Sequence, residues 1–257
     1  MATTNFTNGT VVQADWLNDV DAVVYGLPST GPGEGASLVS LEDGRSVQAA
    51  FDEEVSVTRF GAVCDGTTDD TAAVNAAVLH LAATGGKIKW PTGRTCKLLG
   101  PVYVLSNIEY DLNGAKLQGG GVATGVMFET GYNNAGTLTT TIGTAYQSHV
   151  IKNAKIYGGN VIDVGKFCNF QNFNMGCKVY DIELFNARQF GAFDACFYAH
   201  FDTVMHSGGT VDTLPSFHFK SSNNAIKLNK VITTCEWDYF FEGGSTAITM
   251  SGCTQEG

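Results

Sequence analysis

The sequence predicts a mainly β protein, a right-handed parallel β-helix, on three observations. Charged residues make up only 16% of the chain and stand beside 31 glycines, a composition of many turns and few long helices. Beyond residue 105 the helical periodicity stops. Short apolar runs replace it, each bounded by Gly, Asn or Asp: IEYDL from Ile108, VMF from Val126, IKNAKI from Ile151, VYDIEL from Val179, FYAHF from Phe197, IKLNKVI from Ile226 and ITM from Ile248. They recur at spacings of 18 to 29 residues, the range of stacked repeats, and lack the Leu-x-x-Leu-x-Leu pattern of leucine-rich repeats. Short strands with polar corners suit a solenoid whose turns lie about 4.8 Å apart and bury their inward side chains against one another.

The N-terminal quarter reads differently. In residues 1–26, Asn8-Gly9 marks a turn, and Asp15 can cap a short helix. Trp16, Val20 and Val23 share one stripe of it, with Leu17 beside them, and Gly26 ends it. Such a helix, carrying Trp16 and preceded by Phe6, needs a partner to bury its face. Residues 27–44 have the Gly, Pro and Ser content of a linker. Ser46 then opens a short helix with Val47, Ala50 and Phe51 on one side, which completes a neck over 27–54. From residue 55 onward the chain is solenoid: an alternating strand VSVTRF, the loop GAVCDGTTDD, and a helix with Val74, Val78 and Leu81 on its apolar face, ended by Gly85-Gly86.

The three aspartates of DGTTDD look like chemistry, but their spacing does not fit an EF-hand loop, which needs oxygen ligands at alternate positions and a distant glutamate. Thr68 or Asp69 can instead accept from the free N–H groups at the helix start, where its dipole also favours Asp69 and Asp70. The loop therefore reads as scaffold.

VSVTRFGAVCDGTTDDTAAVNAAV followed by GGKIKWPTGRTCKL resembles the start of the pectate-lyase-like β-helix of bacteriophage tailspikes. In that family the strand, the FGAxxDGxxDDT loop and the helix cap the N-terminal end of the solenoid. Here Cys96 or Lys97 stands near the family's usual Tyr, a departure. FTNGTVVQADWLNDVDAVVYG resembles the virion-anchoring segment of phage tail proteins, and GASLVSLEDGRSVQAAFDE resembles the neck between anchor and spike. The resemblance implies a homotrimer whose N-terminus, through Phe6, Trp16, Leu17 and Val20, docks on phage tail or adaptor proteins. It implies a virion protein made in the host cytoplasm and recognition of host surface polysaccharide, with or without cleavage of it. No cofactor is implied.

The rest of the composition narrows the classes. A net charge of −10 without a basic stripe excludes nucleic acid, and an acidic glycan would have to be met by local cations. No apolar run reaches the roughly 20 residues of a membrane span, and MATTNFTNGT has neither the charged nor the apolar region of a secretory signal. A free polysaccharide lyase would be expected to carry one. The seven cysteines show no CxxC and no zinc spacing, so reduced core residues and no metal are expected.

Glycan hydrolysis needs two carboxyl groups about one bond. Aligning VYDIELF with YAHFDTV sets Glu183 against Asp202 on adjacent turns. If Ile182 points inward, Asp181 and Glu183 point outward, and Glu183 and Asp202 are either a candidate catalytic pair or two solvated acids on the outside of the solenoid. In EWDYFFEGG, Trp237 and Tyr239 could stack on sugar rings, or pack as a corner or subunit interface. The five histidines are isolated, which favours core or surface roles over metal binding. No GxSxG marks a nucleophile. ITMSGCTQEG reads as an ordinary turn of the solenoid, so a further domain or assembly is expected to cover that end.

Overall fold

The structure, a computed structural model, describes residues 41–44, 46–131, 150–208, 214–234 and 238–255. The chain divides into two compact units between Asp52 and Glu53. The described part of the first carries most of helix α1 (Val47–Glu53). Ser46 caps it, its hydroxyl accepting from the Ala49 N–H at 3.0 Å. The expected anchor residues Phe6, Trp16, Leu17 and Val20, and the linker up to residue 40, lie outside the described residues.

The second unit opens with β1 (Glu54–Ser56), a 3-10 turn (Val57–Phe60), β2 (Asp65–Asp69), α2 (Thr71–His80), β3 (Gly86–Lys89), β4 (Thr95–Lys97), β5 (Val102–Tyr103), β6 (Ile108–Asp111) and β7 (Lys116–Glu129). It continues through β8 (Lys155–Gln171), β9 (Lys178–Asp194), β10 (His200–Gly208), β11 (Phe217–Phe219), β12 (Lys227–Thr233), β13 (Tyr239–Phe241), β14 (Thr249–Ser251) and β15 (Thr254–Gln255). Along one face the hydrogen-bonded order is β1-β3-β6-β8-β9-β10-β12-β14, rising in sequence as the chain winds, and every registered pair is parallel. This is a parallel β-solenoid. No helix among the described residues is long and apolar enough to cross a membrane.

The aspartates of DGTTDD are spent on the backbone. Asp65 accepts from the Thr67 and Thr68 N–H groups at 2.8 and 2.7 Å. Asp69 accepts from the N–H and hydroxyl of Thr71 at the first turn of α2, and from the Leu99 N–H at 3.2 Å. Asp70, only 2% exposed, accepts from the Val63 and Cys64 N–H groups at 2.7 and 3.0 Å. Three carboxylates thus hold one loop, and α2 buries Val74, Ala77 and Val78 in the core.

The cysteines need a correction. Cys64 and Cys96, 32 residues apart, form a disulfide across consecutive turns. The two buried positions stack in adjacent turns, a juxtaposition that pair spacing in the sequence does not reveal. Asp70 lies beside both sulfurs, but these are bonded to each other. Cys168, Cys177 and Cys196 are free and buried, and burial pushes the Cys177 and Cys196 thiols up to about 12.

The strands are longer than the apolar runs suggested. β8 and β9 each hold 17 residues, because each passes through bends without breaking its ladder. The bends sit at residues in the left-handed region. Turns enter the long face through Asn153, Gly176, Tyr198, Ala225 and Ala247 (φ 53 to 80°) and leave it through Gly158, Asp181, Thr203, Lys230 and Gly252 (φ 49 to 76°). Few of these are glycines, so most of these bends cost roughly 1–2 kcal/mol each; the stacked ladders on both sides offset it.

Inside, aromatic side chains stack from turn to turn. Phe167 lies 4.8 Å from Phe190, and Phe190 lies 4.4 Å from Phe217, ring centre to ring centre. A second file runs Phe193, Phe219, Phe241 at 5.1 Å steps, the first two rings buried and the last exposed. Inward positions thus gain both apolar burial and ring contacts from the same register.

Candidate functional site

The long face presents two outward columns, with an inward apolar column between them. The first column begins with alternating charge: Glu54, Lys87, Glu109 and Lys155 on successive turns. Glu54 pairs with Lys87 at 2.6 Å, and Glu109 pairs with Lys155. Then alternation stops. The next three turns carry Lys178, His200 and Lys227. Lys178 and Lys227 are exposed, and His200 is half-buried. Burial, then the neighbouring Lys227 and Lys178, hold the His200 imidazole below its usual pKa, with Asp202 opposing.

The second column carries Asp111, Tyr157, Tyr180, Asp202 and Asn229. Tyr157 and Tyr180 stack face to face, 4.7 Å apart and 7° from parallel. Each ring covers one face of the other. Burial, with Asp111 and Glu109 nearby, raises the Tyr157 hydroxyl above its ordinary pKa, so it stays protonated at neutral pH. Asp202 is oriented by Asn229, whose amide donates at 2.9 Å, and by the Thr203 hydroxyl at 3.1 Å.

Beyond the left-handed bend a third outward column runs Asn160, Glu183, Met205, Ile232. Two clefts flank the bend. One, about 340 Å3, is lined on the first two columns by Lys155, Lys178, Tyr180, His200 and Asp202. The other, about 460 Å3, is lined on the third by Asn160, Glu183, Met205 and Ile232. Asp181 and Thr203 line both, so the clefts adjoin along one ridge.

The expected register of Glu183 against Asp202 is corrected. Glu183 stands opposite Met205 and Asn160, while Asp202 stands opposite Tyr180 and Asn229. The alignment slipped because the bend residues Asp181 and Thr203 share a position and break simple alternation there. The expectation that Ile182 points inward with Asp181 and Glu183 outward holds: Ile182 is buried and both acids are exposed. Glu183 and Asp202 occupy neighbouring clefts rather than one.

Tyr239 lies in neither cleft. Its ring packs 5.6 Å from Phe217, and burial raises its hydroxyl pKa. Asp238 accepts from the Thr233 hydroxyl, and Glu242 pairs with His218 at 3.1 Å. Trp237 is outside the described residues. His206 is fully buried, bonded to the Ser216 hydroxyl at 2.6 Å and the Ala187 carbonyl at 3.2 Å. Burial takes its pKa down to about 4, so this Ser–His contact is a neutral core pair sealed from solvent. Sequence reasoning placed Asp181 outward but not at the ridge between the clefts, and it missed the stacked tyrosines and the cation file, since their alignment depends on register across turns of unequal length.

No family model matches the chain, and no curated protein matches it. Solved structures do. A candidate glycosyl hydrolase from Parabacteroides merdae superposes with a TM-score of 0.61 at 15% identity, over 79% of this chain and 98% of its own. A mutant tailspike of E. coli bacteriophage HK620, in complex with a pentasaccharide, gives 0.57 at 14% identity over 93% of this chain. The chain carries a tailspike-like parallel β-helix. PfbA, a surface adhesin of Streptococcus pneumoniae, shares it with a TM-score of 0.55 at 13% identity, over 78% of this chain and 56% of its own. The chain spans about half (51%) of the HK620 protein's length.

Proposed function

We propose that the two adjoining clefts along the Asp181–Thr203 ridge bind polysaccharide, and that the chain is a phage tailspike or tail fibre subunit. The observation that carries the first part is the ridge itself. It lies open on a rigid ladder, with carboxylates on both sides, paired phenols on one and apolar Met205 and Ile232 on the other. Carboxylates and amides accept and donate to sugar hydroxyls, while apolar side chains meet the C–H faces of the rings. The pentasaccharide held by the HK620 tailspike on a similar fold supports this reading. The resemblance of residues 1–26 to an anchor and of 27–54 to a neck supports docking on the phage tail, and a homotrimer. An array of immobilised bacterial capsular and O-antigen polysaccharides tests it. Selective binding that falls at least tenfold in Asp202→Ala is expected; an array that captures no wild-type protein overturns the reading.

One observation favours a second reading, cleavage of the bound chain: Asp181 and Glu183 line the same 460 Å3 cleft. Two carboxyl groups in one cleft are what glycoside hydrolysis requires. Release of reducing ends from the bound polysaccharide, abolished in both Asp181→Asn and Glu183→Gln, would establish it. Binding without release would leave a recognition protein.

A further inference from the structure

Resting on the glycan-binding reading above, we infer that the polysaccharide is acidic, its carboxylates seated on the file formed by Lys178, His200 and Lys227. The first outward column alternates in sign as far as Lys155, and each acid there pairs with a cation on a neighbouring turn. A ladder selected only for stability would continue that alternation, because like charges set directly opposite on adjacent strands repel. Instead three cationic or cation-capable side chains follow one another, and the acids nearest them, Asp181 and Asp202, lie off the file across the cleft. The arrangement becomes favourable when an outside anion fills the space between.

The geometry suits a chain molecule lying along the solenoid. Lys178 and Lys227 are two turns apart, about 10 Å, roughly two sugar rings. A carboxylate on alternate residues would reach both ammonium groups. Asp202 and the Tyr180 hydroxyl, on the second column, would take the hydroxyls of the same rings. The net charge of −10 repels a polyanion at long range, so the cations act by contact rather than by steering.

Affinity electrophoresis with polygalacturonate, alginate and polysialic acid, each also after reduction of its carboxyls to alcohols, tests the assignment. The expected result is binding of at least one acidic polymer, lost at least tenfold on carboxyl reduction. The same loss is expected in Lys178→Ser/Lys227→Ser, while Lys152→Ser, an exposed lysine off the file, binds normally. Circular dichroism melting confirms that the double variant is folded. Equal binding of acidic and reduced polymers, undiminished binding by the double variant, or capture by neutral O-antigens alone overturns the acidic assignment and leaves the glycan reading standing. Binding to no polymer, acidic or neutral, overturns both.

Discussion

Tyr157 and Tyr180 lie ring on ring across consecutive turns, with 4.7 Å between centroids and 7° between planes. Each shields the other, and Glu109 lies 3.4 Å from the Tyr157 hydroxyl. The stack should be measurable as a coupling. A double-mutant cycle of Tyr157→Ala and Tyr180→Ala in urea unfolding is expected to give an interaction of about 0.5–1.5 kcal/mol. Additive losses would mean that the rings are neighbours without mutual stabilisation.

The inner aromatic file should matter more. Phe190 touches Phe167 on one side and Phe217 on the other, with no exposure. Phe190→Ala removes both contacts and leaves a cavity, so a loss of about 3–5 kcal/mol is expected from chemical denaturation. A loss below about 1 kcal/mol would show that the file can collapse around the gap.

The bends make a prediction of opposite signs. Ala225, at φ 55°, holds a conformation that glycine adopts without steric cost. Ala225→Gly is therefore expected to be neutral or to raise stability by up to about 1 kcal/mol. Gly176→Ala places a Cβ 2.3 Å from the Asn153 Oδ1, at φ 80°, and is expected to lower stability by at least about 1–2 kcal/mol. Thermal melts of the two variants moving in the same direction would contradict the account of the bends.

The loop aspartates predict both a ranking and a pH window. Asp70→Ala leaves the Cys64 and Val63 N–H groups without their acceptor, at about 1–3 kcal/mol for a buried group left unsatisfied. Asp69→Ala, at the start of α2, should cost about 0.5–2 kcal/mol. Hydrogen bonds from Thr68 and Thr67 lower the Asp65 pKa. At Asp69 burial works upward, but the bonds from Thr71 and Leu99 outweigh it. A carboxyl lowered on folding stabilises above its unfolded pKa, near 3.9, and that contribution is lost as pH falls through the folded value. The melting temperature should therefore fall below about pH 4, and fall less steeply in Asp69→Asn. A variant with the same acid profile as the wild type would remove Asp69 from the account.

The solenoid was legible because inward positions repeat: Val179, Phe201 and Leu228 fall in one buried column, and each lies within or next to a run visible in the sequence. The role of DGTTDD was legible because side-chain acceptors beside a helix start are local chemistry. The site was not. Glu183 and Asp202 are correctly outward, yet their relation depends on how many residues each turn spends on its bends. Residues such as Thr203, Tyr198 and Lys230 carry no sequence signal for a left-handed conformation. A slip of a few residues there displaces the outward columns of those turns, and with them the cation file.

The central claim, that glycan lies along the Asp181–Thr203 ridge, is tested most directly by hydroxyl-radical footprinting of the protein with and without a polysaccharide it binds on the array. Methionine sulfur oxidises readily, and three methionines report on different places. Met205 lines the larger cleft, while Met175 and Met250 are exposed and line neither cleft. The account predicts that saturating polysaccharide lowers Met205 oxidation several-fold and leaves Met175 and Met250 unchanged. Protection of Met175 or Met250 with Met205 unaltered would place the ligand elsewhere and contradict it.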